Sequence, residues 1–226
     1  TTGTKNIAIG TNALTTEDGN GYNVAIGYES LKTLNAGADA GNVAIGYQAA
    51  TLATTAAGVI AIGKSAGAAI TTGGYNTLIG NLSGDAITTG TNNVAVGAVS
   101  LTDNTTASNN TAVGYAALGA NTTGANNTAM GKGSLAANTT GNYNVSVGYL
   151  AADANTTGSN HTVLGYGALG VNTTGNSNTA IGYAALEANT TASNNTAVGL
   201  SALAANTTGH SNVAVGKDAL DSNTTA

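Results

Sequence analysis

The sequence predicts an all-β fold, a parallel β-solenoid (β-roll) of thirteen turns with 17 residues each. Three observations support this prediction. A short motif recurs along all 226 residues, apolar and small residues alternate within each copy, and the chain contains no proline, whose ring removes a donor from a strand ladder. In a solenoid the copies stack about 4.8 Å apart, so equivalent positions form columns of neighbouring side chains.

A glycine marks each copy of the motif, and we number the columns from it as position 0. The thirteen glycines are Gly10, Gly27, Gly46, Gly63, Gly80, Gly97, Gly114, Gly131, Gly148, Gly165, Gly182, Gly199 and Gly216. Eleven of the twelve spacings are 17 residues, and the remaining one, from Gly27 to Gly46, is 19. We expect a single repeat domain over 1–226, with less regular turns in 1–90, a two-residue insertion between Gly27 and Gly46, and regular turns in 91–226.

The residues before each glycine predict a short strand of about five residues, which the glycine ends. Position −3 is β-branched in all thirteen copies, position −1 is always apolar, and position −2 is usually small, with Ala in ten copies. β-Branched residues favour strands, and alternation places positions −3 and −1 on one face and position −2 on the other. We predict that positions −3 and −1 form the core together with the leucine column at +4, which is Leu in nine copies. The alanine column at −2 then points away from the core.

A helical solenoid is the alternative fold. The run 184–188 (Ala-Ala-Leu-Glu-Ala) has helix propensity, but helices of so few residues are not stable alone. The Asn-Thr-Thr-Gly segments are poor helix formers, and helical repeats are longer, at roughly 30 residues or more. The β-solenoid therefore explains the columns better.

Two columns are rich in Asn. Position −4, the pre-strand asparagine column, is Asn in eleven of thirteen copies. Position +7, the loop asparagine column, is Asn in eight consecutive turns: Asn104, Asn121, Asn138, Asn155, Asn172, Asn189, Asn206 and Asn223. Amides stacked in register hydrogen-bond from turn to turn, so we predict a structural asparagine ladder. The alternative is glycosylation, because Asn-Thr-Thr matches the acceptor pattern.

Pairs of Thr follow the loop asparagine column in all eight of its turns, and seven of these pairs are the candidate hydroxyl rows. These seven pairs are Thr105-Thr106, Thr122-Thr123, Thr139-Thr140, Thr156-Thr157, Thr173-Thr174, Thr190-Thr191 and Thr207-Thr208. One hypothesis is ice binding, as in β-solenoids whose Thr rows resemble an ice surface. Those rows usually follow a Thr-x-Thr pattern, whereas adjacent residues of a strand point to opposite faces. The hypothesis that we favour is hydroxyl rows at a corner that bond the backbone.

Tyr occupies position +1, the tyrosine column, in six copies. Exposed Tyr rings stack on sugars, and they equally cover a junction between chains while the hydroxyl stays in water. Both roles stay open at this point. The candidate surface-binding residues are Tyr115, Tyr149, Tyr166 and Tyr183.

The composition argues against several classes of function. Charged residues make up 7% of the chain and the net charge is −5, which argues against nucleic-acid binding. There is no Cys, and His161 and His210 belong to no cluster, so we predict no metal site. The sequence lacks a Ser/His/Asp set, a phosphate-binding lysine loop and a paired-carboxylate motif, so we predict no enzymatic activity and no cofactor. No apolar run approaches the roughly 18 residues of a membrane span, so we expect no membrane insertion.

Three short units carry a resemblance to known repeats. Asn23-Val-Ala-Ile-Gly27, Asn93-Val-Ala-Val-Gly97 and Asn212-Val-Ala-Val-Gly216 resemble the head repeats of trimeric autotransporter adhesins and similar repeats of bacteriophage tail fibres. The adhesin resemblance implies a left-handed parallel β-roll, three chains to a head, and binding to a host surface or matrix. The 17-residue period is longer than is usual in those heads. The first residues, Thr1-Thr2-Gly3, carry no signal-peptide pattern, which we take as typical of an excerpt or a mature segment.

The alanine column supplies the expected interface between chains. If position −2 points outward, a monomer leaves a small apolar stripe in water, and such stripes normally mark an interface. The stripe comprises Ala95, Ala112, Ala129, Ala180, Ala197 and Ala214. Since the adhesin resemblance suggests three chains, we predict a homotrimer.

These observations predict a non-enzymatic structural and adhesive segment of an extracellular fibre, on a cell surface or a virion. The segment would serve as a rigid spacer and a surface-binding rod. Its expected partners are further copies of the chain and a host or cell-surface receptor or glycan. The alternatives are an ice-binding β-solenoid with Thr rows, and a self-assembling extracellular filament whose uncapped strand edges join end to end.

Overall fold

The computed structural model describes residues 4–17, 21–37 and 40–225. Within these ranges the chain contains thirteen strands of three residues and no helix. The strands are β1 (Ile7–Ile9), β2 (Val24–Ile26), β3 (Val43–Ile45), β4 (Ile60–Ile62), β5 (Thr77–Ile79), β6 (Val94–Val96), β7 (Thr111–Val113), β8 (Thr128–Met130), β9 (Val145–Val147), β10 (Thr162–Leu164), β11 (Thr179–Ile181), β12 (Thr196–Val198) and β13 (Val213–Val215). Each strand occupies positions −3 to −1 of its repeat, so the predicted strand positions are confirmed, and the strands are shorter than the predicted five residues.

The strands pair in parallel, and each strand residue lies opposite the equivalent residue of the next repeat. Between β11 and β12, for example, Thr179 lies opposite Thr196 and Ile181 lies opposite Val198. The strand order follows the chain, from β1 to β13. Equivalent residues of successive turns are therefore neighbours, and the predicted all-β, parallel β-solenoid is confirmed.

The chain forms two compact units, residues 1–112 and 113–226. In the first unit, β1 to β6 pair consecutively. In the second unit, β8 to β13 pair consecutively. Each unit is thus a parallel β-solenoid.

The faces of the strands are opposite to those that the sequence predicts. From β2 to β13, the middle residue of every strand is buried, with at most 3% of its surface exposed. The residues at −3 and −1 of the same strands are half-buried or exposed. The prediction that the alanine column faces a partner chain was therefore wrong, because its residues belong to the core of their own chain. These residues are Ala95, Ala112, Ala129, Ala180, Ala197 and Ala214.

The narrow cross-section of a turn explains this inversion. The leucine column enters the core as predicted, and its members Leu118, Leu135 and Leu186 are completely buried. A strand that packs against such a leucine column has room for an Ala methyl group, and two branched side chains per turn would overfill the space.

An exception to the pattern shows that positions −2 and +4 share one core. Leu78 replaces Ala at −2, and the residues at +4 in the two turns beside its side chain are Gly67 and Gly84. A Cβ atom on Gly67 or Gly84 would lie 2.8 or 2.7 Å from a methyl carbon of Leu78. The large residue at −2 therefore fills the space that the leucine column occupies elsewhere.

The segment after each glycine contains two left-handed residues in most turns. In the turn after β7, Ala116 and Leu118 have φ values of 55° and 50°. Such a conformation costs about 1 kcal/mol or more for a residue other than Gly. Burial of the leucine offsets the cost, as does the hydrogen bond from the Leu118 N–H to the Ser134 carbonyl one turn away, at 3.0 Å. The segment thereby turns the chain while its backbone still bonds along the axis.

Position 0 requires glycine because of both its conformation and its neighbour. Gly182 has a φ of 135°, which residues with a side chain rarely adopt. A Cβ atom there would also lie only 2.4 Å from the carbonyl oxygen of Gly199 in the next turn. Glycine therefore allows successive turns to approach to the spacing of paired strands.

Candidate functional site

The outward-facing columns at −3 and −1 form an apolar surface that we call the strand face. None of the residues in these columns is charged in any of the thirteen strands. In the second unit, Met130, Val145 and Leu164 expose 43, 44 and 49% of their surface, and in the first unit Ile60 and Ile79 are exposed in the same columns. Apolar surfaces that continue over many residues mark interaction sites. Sequence reasoning missed this surface because an uncharged column is equally typical of a core.

The tyrosine column is exposed, and in the second unit three of its rings stack. Tyr115, Tyr149, Tyr166 and Tyr183 each expose between 42 and 56% of their surface. The ring centroids of Tyr149 and Tyr166, and those of Tyr166 and Tyr183, are 5.3 Å apart, with interplanar angles of 12° and 8°. Tyr166 therefore has a ring against each of its faces. A sugar cannot stack on it face to face, so Tyr166 offers its ring edge and hydroxyl to a partner.

Lys132 occupies the position between Tyr115 and Tyr149 in the same column. Its Nζ lies 6.0 Å from the ring centroid of Tyr115 and 5.6 Å from that of Tyr149. A cation at this distance from an exposed ring face contributes about 0.5–1 kcal/mol. The second face of Tyr149 is thus also occupied within the chain.

The loop asparagine column forms the predicted ladder. The Nδ2 group of Asn155 donates to the Oδ1 atom of Asn138 at 3.0 Å and to the Gly158 carbonyl at 2.9 Å. The same two bonds recur at Asn138, Asn172, Asn189 and Asn206. The predicted ladder residues from Asn104 to Asn206 are fully buried, and only Asn223 is half-buried. Burial and the use of both Nδ2 hydrogens in this ladder argue against glycosylation of this column.

The side chains of the pre-strand asparagine column bond to backbone groups rather than to one another. The Oδ1 atom of Asn144 accepts the N–H of His161 at 3.0 Å, and its Nδ2 donates to the Gly158 carbonyl at 2.9 Å. Asn195 makes the equivalent bonds to the N–H of Asn212 and the carbonyl of Gly209. These side chains satisfy backbone groups at the corner that precedes each strand, which makes the column structural.

His161 replaces Asn in the pre-strand asparagine column and is 1% exposed. Its Nδ1 atom accepts the N–H of Asn178 at 3.1 Å, in the place of an Asn Oδ1. Burial lowers the pKa of His161 to about 4, because the charged imidazolium would lose its hydration. The ring is therefore neutral at pH 7, and it acts as a structural acceptor.

The two Thr residues of each pair have different environments. The Oγ1 atom of Thr139 donates to the Thr156 carbonyl at 3.0 Å, and that of Thr156 donates to the Thr173 carbonyl at 2.9 Å. The first Thr thus bonds the backbone of the next turn, as the corner hypothesis expects. The second members form an exposed row of Thr106, Thr123, Thr140, Thr157, Thr174, Thr191 and Thr208. The ice-binding alternative consequently depends on a single row among these pairs.

The described residues contain neither a cluster of metal ligands nor a membrane-spanning helix. No group of three or more His, Cys, Asp or Glu side chains that could hold a metal ion occurs in residues 4–17, 21–37 and 40–225. The Nδ1 atom of His210 accepts the N–H of Ser193 at 2.9 Å. The same ranges contain no helix long and apolar enough to cross a membrane.

In comparisons with protein-family models, curated proteins and solved structures, nothing matches the chain. The resemblance to adhesin heads and tail fibres therefore stays a prediction. The left-handed coiling of the β-roll and the assembly of three chains also stay predictions.

Proposed function

We propose that the chain is a non-enzymatic structural and adhesive segment of an extracellular fibre. The observation that carries the proposal is the strand face, which is uncharged, half-buried to exposed, and repeated in every turn of both units. A catalytic protein needs a localised set of polar groups. A surface that repeats the same apolar side chains in every turn favours the same kind of contact along its whole length. Such contacts suit a spacer that is built from identical chains.

The strand face replaces the alanine column as the proposed interface between chains. Its Val, Ile, Leu, Met and Thr side chains lose unfavourable contact with water when they pack against a second copy. Burial of apolar surface contributes about 25 cal/mol per Å². Cyclic symmetry would place equivalent turns of each chain at equal heights, and three chains are the number that the adhesin resemblance suggests.

The tyrosine column is the proposed adhesive surface. Tyr115, Tyr149, Tyr166 and Tyr183 lie outside the core, and their hydroxyls are available to a host or cell-surface receptor or glycan. Because stacking fixes the rings along the axis, little side-chain entropy is lost when a partner binds their edges. Rigid aromatic groups of this kind are common at protein interfaces.

The assembly is tested by light scattering on two lysine variants. Val145→Lys places a charge on the strand face, and Thr140→Lys places the same charge on an exposed Thr of the same repeat. We expect the wild-type chain and Thr140→Lys to have the mass of an oligomer, and Val145→Lys to shift toward the monomer with an unchanged β-type circular dichroism spectrum. A wild-type chain that is monomeric at micromolar concentration would contradict the proposal, and so would equal masses for the two variants.

A further inference from the structure

A groove opens on the surface of the second unit beside Tyr166. In the turn after β10, positions +2 and +5 are Gly167 and Gly170, and their missing side chains leave a cavity of about 250 Å³. A Cβ atom on Gly167 would meet no atom within 4 Å. Gly133 and Gly119 occupy these columns singly in other turns, and the combination of glycine at both positions therefore opens the groove here.

Apolar side chains form the walls of the groove. Leu150 is half-buried on one side, and Val171 exposes 44% of its surface on the other. Tyr166 contributes its ring edge, because Tyr149 and Tyr183 cover its two faces. These walls suit a flexible methylene chain, and they offer no open aromatic face to a sugar ring.

Two carboxylates flank the gap at Gly170. Asp153 and Glu187 occupy position +5 in the preceding and following turns, and both line the groove. Their backbones are separated by two interstrand spacings, about 10 Å. Neither residue belongs to a salt bridge within the part of the chain that the structure describes. Burial raises the pKa of Asp153, so its charge lacks part of the hydration of a free carboxylate.

We propose that this groove binds an alkylammonium group, in particular the lysine side chain of a partner protein. The ammonium would lie between Asp153 and Glu187, and the methylene stem would lie against Leu150 and Val171. Long cationic side chains combine an apolar stem with a charged head, which matches a groove that is lined by both apolar and acidic side chains. This inference concerns a different surface from the strand face and does not depend on the fibre function.

The test is an NMR titration of the full chain with an acetylated, methylamide-capped lysine. We expect saturable shifts of the Gly167 and Gly170 amide signals in the wild-type chain. The double variant Asp153→Asn/Glu187→Gln should bind at least tenfold more weakly.

Two control variants separate the groove from general electrostatics. Asp103→Asn/Asp221→Asn removes the same charge from exposed acids outside the groove and should keep the wild-type affinity. Gly167→Leu keeps both carboxylates but fills the groove, and it should abolish the shift of Gly170. Leucine is compatible with this position because Leu82 and Leu150, in the same column, have φ values of 56° and 51°.

Four results would overturn the proposal. These are the absence of saturable shifts in the wild-type chain, equal weakening in the control double variant, wild-type affinity in Gly167→Leu, and tighter binding of glucosamine than of the capped lysine. The last result would mean that the groove recognises a sugar ring rather than an alkyl stem.

Discussion

Most buried Asn side chains in this protein have a hydrogen-bond partner one turn away along the axis. Asn172 illustrates this, because its Nδ2 group donates to Asn155 in the neighbouring turn and to the Gly175 carbonyl in its own. A buried amide without such partners would cost about 1–3 kcal/mol for each unsatisfied group. The repeat therefore supplies both the polar group and its partner with the same residue type.

His161 makes the stability of the chain depend on pH. Its pKa is about 4 in the folded chain and 6.5 ordinarily, so the unfolded chain binds the additional proton first as the pH falls. The stabilisation from the neutral ring is complete above pH 6.5 and is lost as the pH falls toward 4. The difference in pKa corresponds to about 3 kcal/mol.

Denaturant unfolding of His161→Asn tests this dependence. Asn restores the residue that eleven of the thirteen copies carry at this position, so the variant should fold and keep the backbone bond to Asn178. Between pH 7 and pH 4 the wild-type chain should lose about 3 kcal/mol more unfolding free energy than the variant does. Parallel pH profiles for the two proteins would show that His161 does not carry the effect.

At the scale of the elements, sequence patterns predict the period of the strands but not which face is buried. Positions −2 and −1 are apolar in nearly all copies and position −3 is apolar or Thr, so alternation alone does not separate the inside from the outside. The volume of the core determines which face of the strand is buried. That volume depends on the facing leucine column, as Leu78 with Gly67 and Gly84 shows. The coincidence of a large residue at −2 with glycine at +4 is visible in the sequence, and it indicates that position −2 is buried.

The polar columns were predictable to different degrees. The loop asparagine ladder follows from eight consecutive Asn residues at one position, and the structure confirms it. The carbonyl partners of the pre-strand column, such as those of Gly158 and Gly209, were not predictable, because the pattern reveals neighbours in the same column but not the corner carbonyls. The groove at Gly167 and Gly170 was likewise missed, since two glycines in a glycine-rich sequence carry no distinctive signal.

The glycine at position 0 should be the least replaceable residue of each turn. In Gly182→Ala the new Cβ atom would lie 2.4 Å from the Gly199 carbonyl oxygen, at a φ of 135°. We expect a loss of several kcal/mol of unfolding free energy, because the clash is with backbone that is held in the ladder. Gly167→Ala is the matched control, since its Cβ atom meets nothing and its φ of 60° is that of its column neighbours; we expect a loss of about 1 kcal/mol. Equal unfolding midpoints in denaturant for the two variants would contradict this account of the turn.

At the scale of the whole molecule, the fold of a single chain does not explain why the strand face is apolar and uncharged. Every turn contributes two apolar or Thr side chains to it, and no turn contributes a charge. Solubility of a monomer would favour charges on such a face. Their complete absence is the reason that we place the contact between chains here.

Single cysteines give the most direct test of this arrangement, since the natural chain has none. Val163 is 1% exposed in β10, its neighbour Leu164 is 49% exposed on the strand face, and Thr174 is exposed in the second Thr row. We expect Val163→Cys to react with a thiol reagent only after unfolding and Thr174→Cys to react at once. Leu164→Cys should be protected in the oligomer and form disulfides between chains on oxidation. Rapid labelling of Val163→Cys in the folded chain would contradict the buried face, and labelling of Leu164→Cys as fast as Thr174→Cys, without linked chains, would contradict the interface.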